Sequence, residues 1–362
     1  MGAVLSKYGE YFLTLMALGL LFGPVICYLI SGWVARRREI LGSFVPETIK
    51  LYFNIFYFAD FGDSQNPQDD FRNLYDWRYV RQHFGIPSVC LFATSIFFLA
   101  FASSTIFGWL RGEAAPESDP VAIAVAAIAG AYMWVLYDLI RRAQQRDLHP
   151  PNLLRASFRL IVAAPLGYAI GALLDKSAAV PVAVLLGAFP TKTLFTIARR
   201  IASSRLSLGD PRREPAHELE LLQGVERAQA ERFEDEGVVT ILQLAYSDPI
   251  DLTIRTNFSF SYVVDCCSQG LAWLYFQQDL AKMRRFGLRG GQEIYNLISE
   301  IEGDYGDELQ KQAEKCRNLA AADLKMDPQA LERSMREVAG DPYTEFLCEV
   351  WCASPTNDKS KK

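Results

Sequence analysis

Several stretches of this chain carry side chains that could do chemistry. The stretch LLQGVERAQAERFEDEGVVTILQLAYSDP, residues 221–249, has the apolar spacing of a helix–hairpin–helix. Such hairpins hold nucleic-acid phosphates on backbone N–H groups freed by a glycine–apolar–glycine turn. Here the turn reads Gly224, Val225, Glu226, so a carboxylate stands at the second glycine position. Glu231, Glu234, Asp235 and Glu236 follow on the same helix. The fold signal survives these substitutions; the phosphate-binding chemistry does not. The run GLRGGQ, residues 287–292, sets Arg289, Gly290 and Gly291 before a helix, where an anion could bind. A helix C-cap followed by a short loop explains the same residues and is the favoured reading. Asp265 beside Cys266 could mark a nucleophile, but no histidine lies near in sequence and a long buried helix accounts for both. Cys348 and Cys352 share one helical face, yet third and fourth metal ligands are not apparent. Asp138 stands at i, i+3 to Arg141, which is ion-pair spacing; a proton or ion relay is the sharper alternative.

Cysteine and histidine usage adds little. The seven cysteines form no CxxC pair and the three histidines, His83, His149 and His217, match no ligand spacing. Neither a disulfide framework nor a zinc site is indicated. No phosphate loop, HExxH or GxSxG motif is present. The expectation is a non-catalytic protein with no cofactor and no metal.

The elements that must position these residues divide the chain in two. Residues 211–362 hold 18 Lys/Arg and 27 Asp/Glu, a net of −9 against −5 for the whole chain, so the first 210 residues net +4. An acidic second half disfavours nucleic acid as a partner, because phosphate binding needs clustered Lys/Arg. The first half carries uncharged apolar runs. Five membrane spans are expected, at about 11–35, 85–110, 120–140, 157–174 and 177–198. The first contains Pro24, a kinking residue, and ends at Arg36, Arg37 and Arg38. The fourth and fifth are weaker, each interrupted by proline and by one cation, Arg159 or Lys192, that must snorkel; a re-entrant hairpin is the rival. Ala122, Ala126 and Gly130 in the third span, and Gly167 with Gly171 in the fourth, have the four-residue spacing of small residues that lets helices approach closely.

Charge asymmetry sets the expected orientation. With the N-terminus outside, Arg36, Arg37, Arg38, Arg141, Arg142, Arg146, Arg155, Arg199, Arg200 and Arg205 fall on one side, against Lys7, Arg111 and Lys176 on the other. The positive-inside rule makes the arginine-rich side cytoplasmic and makes Arg36, Arg37, Arg38, Lys192, Arg199 and Arg200 candidate interfacial anchors. The implied location is a bacterial inner membrane, with the N-terminus outside and the C-terminus in the cytosol. A cytoplasmic loop, 39–84, contains VPETIKLYFNIFYFADF. Its aromatic residues suit either a helix in the headgroup region or a collar packed on the cytoplasmic domain.

Residues 1–202 are thus read as the transmembrane domain and 203–217 as a polar linker. Residues 218–352 are read as an all-helical cytoplasmic domain and 353–362 as a tail. Thr240 with Gln243 reads as a capping box. Asp248-Pro249, Asp327-Pro328 and Asp341-Pro342 each set an N-cap before a proline. The longest helix of this half is expected over about 261–283. EDEGVVTILQLA and RRFGLRGGQEIYNLI share a helix end, a glycine, an apolar residue and a second helix, a weak internal repeat.

The stretches LQGVERAQAERFEDEGVVTILQLAYSDPIDLTIRT and VVDCCSQGLAWLYF, with RRAQQRDLHPPNLLRASFRL and LLGAFPTKTLF, resemble a group of uncharacterised bacterial multi-pass membrane proteins. In that group a helix–hairpin–helix or SAM-like module follows several spans. The resemblance implies the architecture and an interaction role, and it supplies no catalytic residue. The expected fold class is therefore all-α: a five-span bundle followed by a multi-helix domain of helix–hairpin–helix character. The expected function is a membrane scaffold or signalling component whose cytoplasmic domain binds a protein partner or itself. The expected partners are membrane lipid, further copies of the chain and a cytoplasmic protein. The alternative is an oligomeric channel or pore-forming effector gated at the cytoplasmic domain.

Overall fold

The computed structural model describes residues 2–57, 60, 65–111, 120–171, 176–188, 218–303 and 306–352. Among these residues the protein is helical throughout, with no strand. It divides into two compact units. Unit 1 is Met1–Arg38 with Asp76–Arg213, and unit 2 is Glu39–Tyr75 with Glu214–Lys362.

Unit 1 is built from the apolar runs. Helix α1, Gly2–Cys27, passes through Pro24 without ending, takes a π-helical turn at Tyr28–Gly32 and continues as α2, Trp33–Ser43. The π-turn begins four residues after the proline. Helix α3, Pro46–Phe56, belongs to unit 2, and α4, Pro67–Arg78, leads through a short 3-10 turn into α5, Gly85–Leu110. Helix α6 is Pro120–Gln144. The helical stretches Tyr8–Ser43, Pro67–Leu110 and Pro120–Gln144, of 36, 44 and 25 residues, are each long and apolar enough to cross a membrane. At about 1.5 Å rise per residue each exceeds a hydrocarbon core of about 30 Å. Tyr11, Phe12 and Leu15 on α1 and Ile86, Val89 and Phe97 on α5 point outward with most of their surface uncovered. Such a continuous apolar exterior suits lipid rather than water.

Helix α7, Pro150–Gly171, and α8, Lys176–Ala188, complete the described part of unit 1. Helix α7 starts at Pro150, ahead of the expected fourth span, because Asn152 accepts from the His149 N–H at 2.7 Å and organises the first turn. The far half of the expected fifth span, with Lys192, lies outside the described residues, as do Arg199 and Arg200, the 203–217 linker and the 353–362 tail. One buried cluster joins these helices: Leu21, Val25 and Tyr28 from the first helical stretch, Leu91 from α5, Val135 and Leu139 from α6, and Leu153 and Leu160 from α7.

Unit 2 takes helices from two distant parts of the sequence. After a 3-10 turn at Glu218–Leu221 come α9, Arg227–Asp235; α10, Ile241–Ala245; α11, Pro249–Thr256; and α12, Phe260–Phe276. Then follow α13, Leu280–Met283; α14, Gly291–Glu302; α15, Asp307–Leu324; α16, Pro328–Ala339; and α17, Pro342–Cys352. The local signals behave as their chemistry requires. Thr240 accepts from the Gln243 N–H while Gln243 reaches back, a complete capping box. Asp248 accepts from the N–H groups of Ile250 and Asp251, and Asp327 from those of Gln329 and Ala330.

One helix is shorter than its pattern. The run expected over 261–283 breaks at Gln277, whose φ is +45°. The break separates two cores: Val263, Val264, Cys266, Cys267 and Leu271 pack in the first, while Phe276, Leu280 and Met283 pack in the second with Ile294, Leu331 and Met335. The apolar spacing runs on through residue 283, so it hides a change of packing partner. The weak repeat has a shared geometry. Gly237 and Gly287 are both left-handed, with φ of +89° and +80°. The N–H of the next residue, Val238 or Leu288, returns five residues to Phe233 or Met283, at 3.0 and 3.3 Å. Each glycine is then followed at the third position by an extended N-cap, Thr240 or Gly290.

Candidate functional site

The segment between the first two apolar helices is where the sequence pattern left two readings, and the structure places it in unit 2. Helix α3 begins after Val45 with Pro46 in the first turn, and its face of Thr48, Ile49, Tyr52 and Phe53 is buried. Tyr52 donates its hydroxyl to the Asp248 carboxylate at 2.8 Å. Asp248 is the same residue whose other oxygen caps α11. Burial, and then the neighbouring Asp248 carboxylate, push the Tyr52 hydroxyl well above the ordinary phenol range, so it is a fixed donor. Phe44 stacks edge-on against Phe260 and Phe71, with centroids 5.0 and 5.7 Å apart. Phe56 meets Phe346 and Tyr343 at 5.8 and 6.2 Å. Leu51 and Phe56 pack on the core that α10, α12 and α17 share. The two ends of the segment fall inside helices: the division between units lies at Arg38–Glu39 in α2 and at Tyr75–Asp76 in α4. Just on the unit 1 side, Arg37 makes a two-pronged ion pair with Asp76, at 2.6 and 2.5 Å.

The hairpin turn is occupied by the protein's own groups. Gly224 has φ of +80°, the left-handed value that favours glycine. Gln269, fully buried on α12, accepts from the Gln223 N–H at 2.8 Å and donates to the Gln223 carbonyl at 3.0 Å. The Val225 N–H returns to Leu222 at 3.4 Å, and Tyr262 donates its hydroxyl to the Gly224 carbonyl at 2.8 Å. The N–H groups of Gln223 and Val225 are therefore engaged within the fold. Glu226, at the N-cap of α9, adds a carboxylate at the same turn.

The GLRGG loop is a packing joint. Arg289 pairs with Asp265 on α12 and lies 3.7 Å from Glu293. A methyl group on Gly290 would approach the Ser268 hydroxyl to 2.6 Å, and one on Gly291 would approach Thr344 to 3.2 Å. The Gln292 N–H, near the start of α14, donates to Ser268 at 3.0 Å. Glycine is needed here so that α14 can sit on α12 and α17. The neighbouring thiols are quiet. Burial raises Cys266 to about 12 and drives Cys267 well up, so neither is a thiolate at neutral pH. Cys348 is likewise raised to about 12, by burial and then by Cys352 and nearby glutamates. Among the described residues no group of three His, Cys, Asp or Glu side chains could hold a metal ion.

In unit 1 the small residues meet in a pattern only partly visible in sequence. A methyl group on Gly130 would collide with the Val184 carbonyl, and one on Gly187 with the Ala127 carbonyl, so α6 and α8 touch backbone to backbone. Gly167 faces Ala127 across α6 and α7. Ala126 is buried with Ile123 and Ala127 in that seam, and Ala122 is half-buried beside it. Gly171 lies outside the residues whose side chains the structure describes. Gly187 continues a four-residue spacing of small residues, Ala179, Ala183 and Gly187, that the sequence reading did not pick out. Arg159 is buried on α7, donates to the Gly187 carbonyl and lies over the Trp134 ring, 4.8 Å from its centroid. Asp138 pairs with Arg142 at 2.8 Å and Arg141 at 3.4 Å, the ordinary helix-face arrangement. Arg36, Arg37 and Arg38 follow the first apolar stretch on α2, with Arg38 exposed.

No protein-family model matches the chain, and no match was found among the curated proteins or the solved structures.

Proposed function

We propose that this protein is a non-catalytic membrane scaffold or signalling component of a bacterial inner membrane. In this reading five helices span the bilayer with the N-terminus outside, and unit 2 lies in the cytosol, where it binds a protein partner or a second copy of the chain. The observation that carries it is the construction of unit 2. Its core is completed by the inter-span residues Leu51 and Phe56, and it is pinned by the Tyr52–Asp248 hydrogen bond. A soluble unit that includes a loop between two apolar helices is bound to those helices at both ends of the loop. Any partner that reshapes its core therefore pulls on helices that run on into the apolar stretches. Of the groups that could have done chemistry, Asp265 and Arg289 pair with each other, Cys266 is a buried thiol, and Gln269 takes the Gln223 N–H of the hairpin turn. The helix–hairpin–helix pattern read in the sequence of residues 221–249, and the resemblance to bacterial multi-pass proteins with such a module, support an interaction role.

Reporter fusions after residue 362, together with cross-linking of the detergent-solubilised full chain, test this reading. It expects cytosolic reporter activity and a discrete homo-oligomer or a defined partner complex, with no ion flux in liposomes. Periplasmic reporter activity, or a strictly monomeric chain with no partner, overturns it.

A second reading is an oligomeric channel or pore-forming effector. Arg159 favours it: a buried guanidinium inside a helical bundle with an apolar exterior marks ion or substrate pathways in membrane proteins. Flux in liposomes that Arg159→Leu changes in ion selectivity supports the channel over the scaffold.

A further inference from the structure

One end of unit 1 gathers arginine and aromatic side chains for which neither reading names a ligand. Trp33, at the start of α2, donates its indole N–H to the Tyr79 carbonyl at 3.1 Å. The Arg81 guanidinium lies over the same indole, 4.6 Å from its centroid. Tyr28, Phe84, Leu139, Leu148 and Leu153 share one buried cluster, so the α6–α7 turn stands at the same end. Arg38, Arg81, Arg141, Arg146 and Arg155 are all exposed there. The carboxylates of unit 1 at this end are engaged: Asp76 with Arg37, Asp138 with Arg141 and Arg142, and Asp147 with Arg142 at 3.8 Å and His149 at 3.3 Å. Among the arginines stand two rings with most of their surface uncovered, Trp77 at 76 % and Tyr137 at 66 %.

We propose that this end of unit 1 is a binding surface for anionic phospholipid headgroups, with Arg38 and Arg81 taking the phosphate and Trp33, Trp77 and Tyr137 seated at the boundary between headgroup and acyl chain. The arginines supply the charge and the planar donor fork that phosphate oxygens accept. The rings supply the amphipathic surface that the bilayer interface favours. A free phosphate in water would use the arginines alone. A lipid uses both, and its acyl chains continue along the uncovered Ile86, Val89 and Phe92 of α5. The proposal rests on the three apolar helices being in a membrane and is independent of the scaffold and channel readings.

The test uses the full chain in nanodiscs of phosphatidylcholine alone or with about one-third phosphatidylglycerol. Lipid retained through native mass spectrometry and the thermal midpoint are read in each. Wild type is expected to retain phosphatidylglycerol selectively and to melt higher in its presence. Each basic side chain near an anionic surface contributes about five-fold in lipid preference. The double variant Arg38→Glu/Arg81→Glu is therefore expected to lose roughly 25-fold or more of the preference, while Arg38→Lys/Arg81→Lys keeps most of it. In wild type the advantage of the anionic disc is expected to shrink as salt rises, which reads the same contact without any variant. Equal retention of both lipids, or a preference untouched by salt and by charge reversal, overturns the proposal. So does a midpoint raised as much by inorganic phosphate in the phosphatidylcholine disc as by phosphatidylglycerol.

Discussion

Removing one oxygen from Tyr52 isolates the contact that ties the inter-span segment to the C-terminal helices. Tyr52→Phe keeps the ring, its burial and its stacking near Phe56 and Phe71, and deletes the hydroxyl that donates to Asp248 and also meets Tyr57. Asp248 keeps its two backbone donors on one oxygen and loses its partner on the other. A hydrogen bond to a charged acceptor contributes ~1.5–3 kcal/mol, and the loss is felt in full when the remaining acceptor is shielded from water. For a unit of about 150–250 residues, ~2 kcal/mol lowers the thermal midpoint by about 4–8 °C. The assay is thermal unfolding of the full chain in one detergent for wild type, Tyr52→Phe, Asp248→Asn and the double variant. Asp248→Asn weakens the N-cap as well, so the coupling in the cycle, and not either single effect, measures the contact. It is expected at about 1–2 kcal/mol. Additive single effects, or a Tyr52→Phe midpoint within about one degree of wild type, refute the claim that this hydroxyl anchors α3.

Further outcomes follow from other parts of the structure. Gly130→Ala and Gly187→Ala each drive a methyl group into an opposing backbone carbonyl, which has no side chain to swing aside. Each is expected to cost about 1–3 kcal/mol or more, read as a lower melting temperature in detergent, and an unchanged midpoint would show that α6 and α8 do not touch there. Maleimide labelling of the native chain at mildly alkaline pH is expected to reach exposed Cys352 and to spare Cys266 and Cys267, whose thiols burial holds protonated; rapid labelling of the α12 pair contradicts the packing. Burial raises the Asp265 carboxyl above its usual range, while Arg289 and Gln269 oppose this. The folded state thus binds this proton more tightly, so the stability it contributes is present below about pH 4 and is lost as pH rises through the folded pKa. Asp265→Asn is expected to gain on wild type as pH rises from about 4 to neutrality, and parallel pH profiles of the two would contradict that sign.

What the sequence made legible was local. The Thr240–Gln243 capping box and the Asp248 and Asp327 caps depend on residues two or three apart, and they form as their chemistry requires. The three strong apolar runs also declare themselves, because spanning length and lack of charge are properties of one segment. The destination of the aromatic loop was not legible. Its burial depends on Asp248, Phe260 and Phe346, about two hundred or more residues away, and an interfacial helix needs the same apolar face. Arg289 stood as a possible anion ligand beside the favoured C-cap reading, and its pairing with Asp265, on a different helix, shows only in the fold. Gly290 and Gly291 looked like a loop and serve as contact points, since only the neighbouring Ser268 and Thr344 show why a side chain would not fit. Gly187 was overlooked although the four-residue spacing of Ala179, Ala183 and Gly187 is present in the sequence; which helix it meets, α6 at Ala127, shows only in the fold.

The most direct test of the central claim is hydrogen exchange on the full chain, measured in detergent and again in lipid nanodiscs. If residues 46–56 are part of the fold of unit 2, their amides are protected to the same degree as those of α12 in both environments. Asp248→Ala then lowers the protection of α3 and α11 together. Protection of 46–56 that appears only in the nanodisc, or that ignores Asp248→Ala, would mean that the segment lies on the membrane and that unit 2 folds without it.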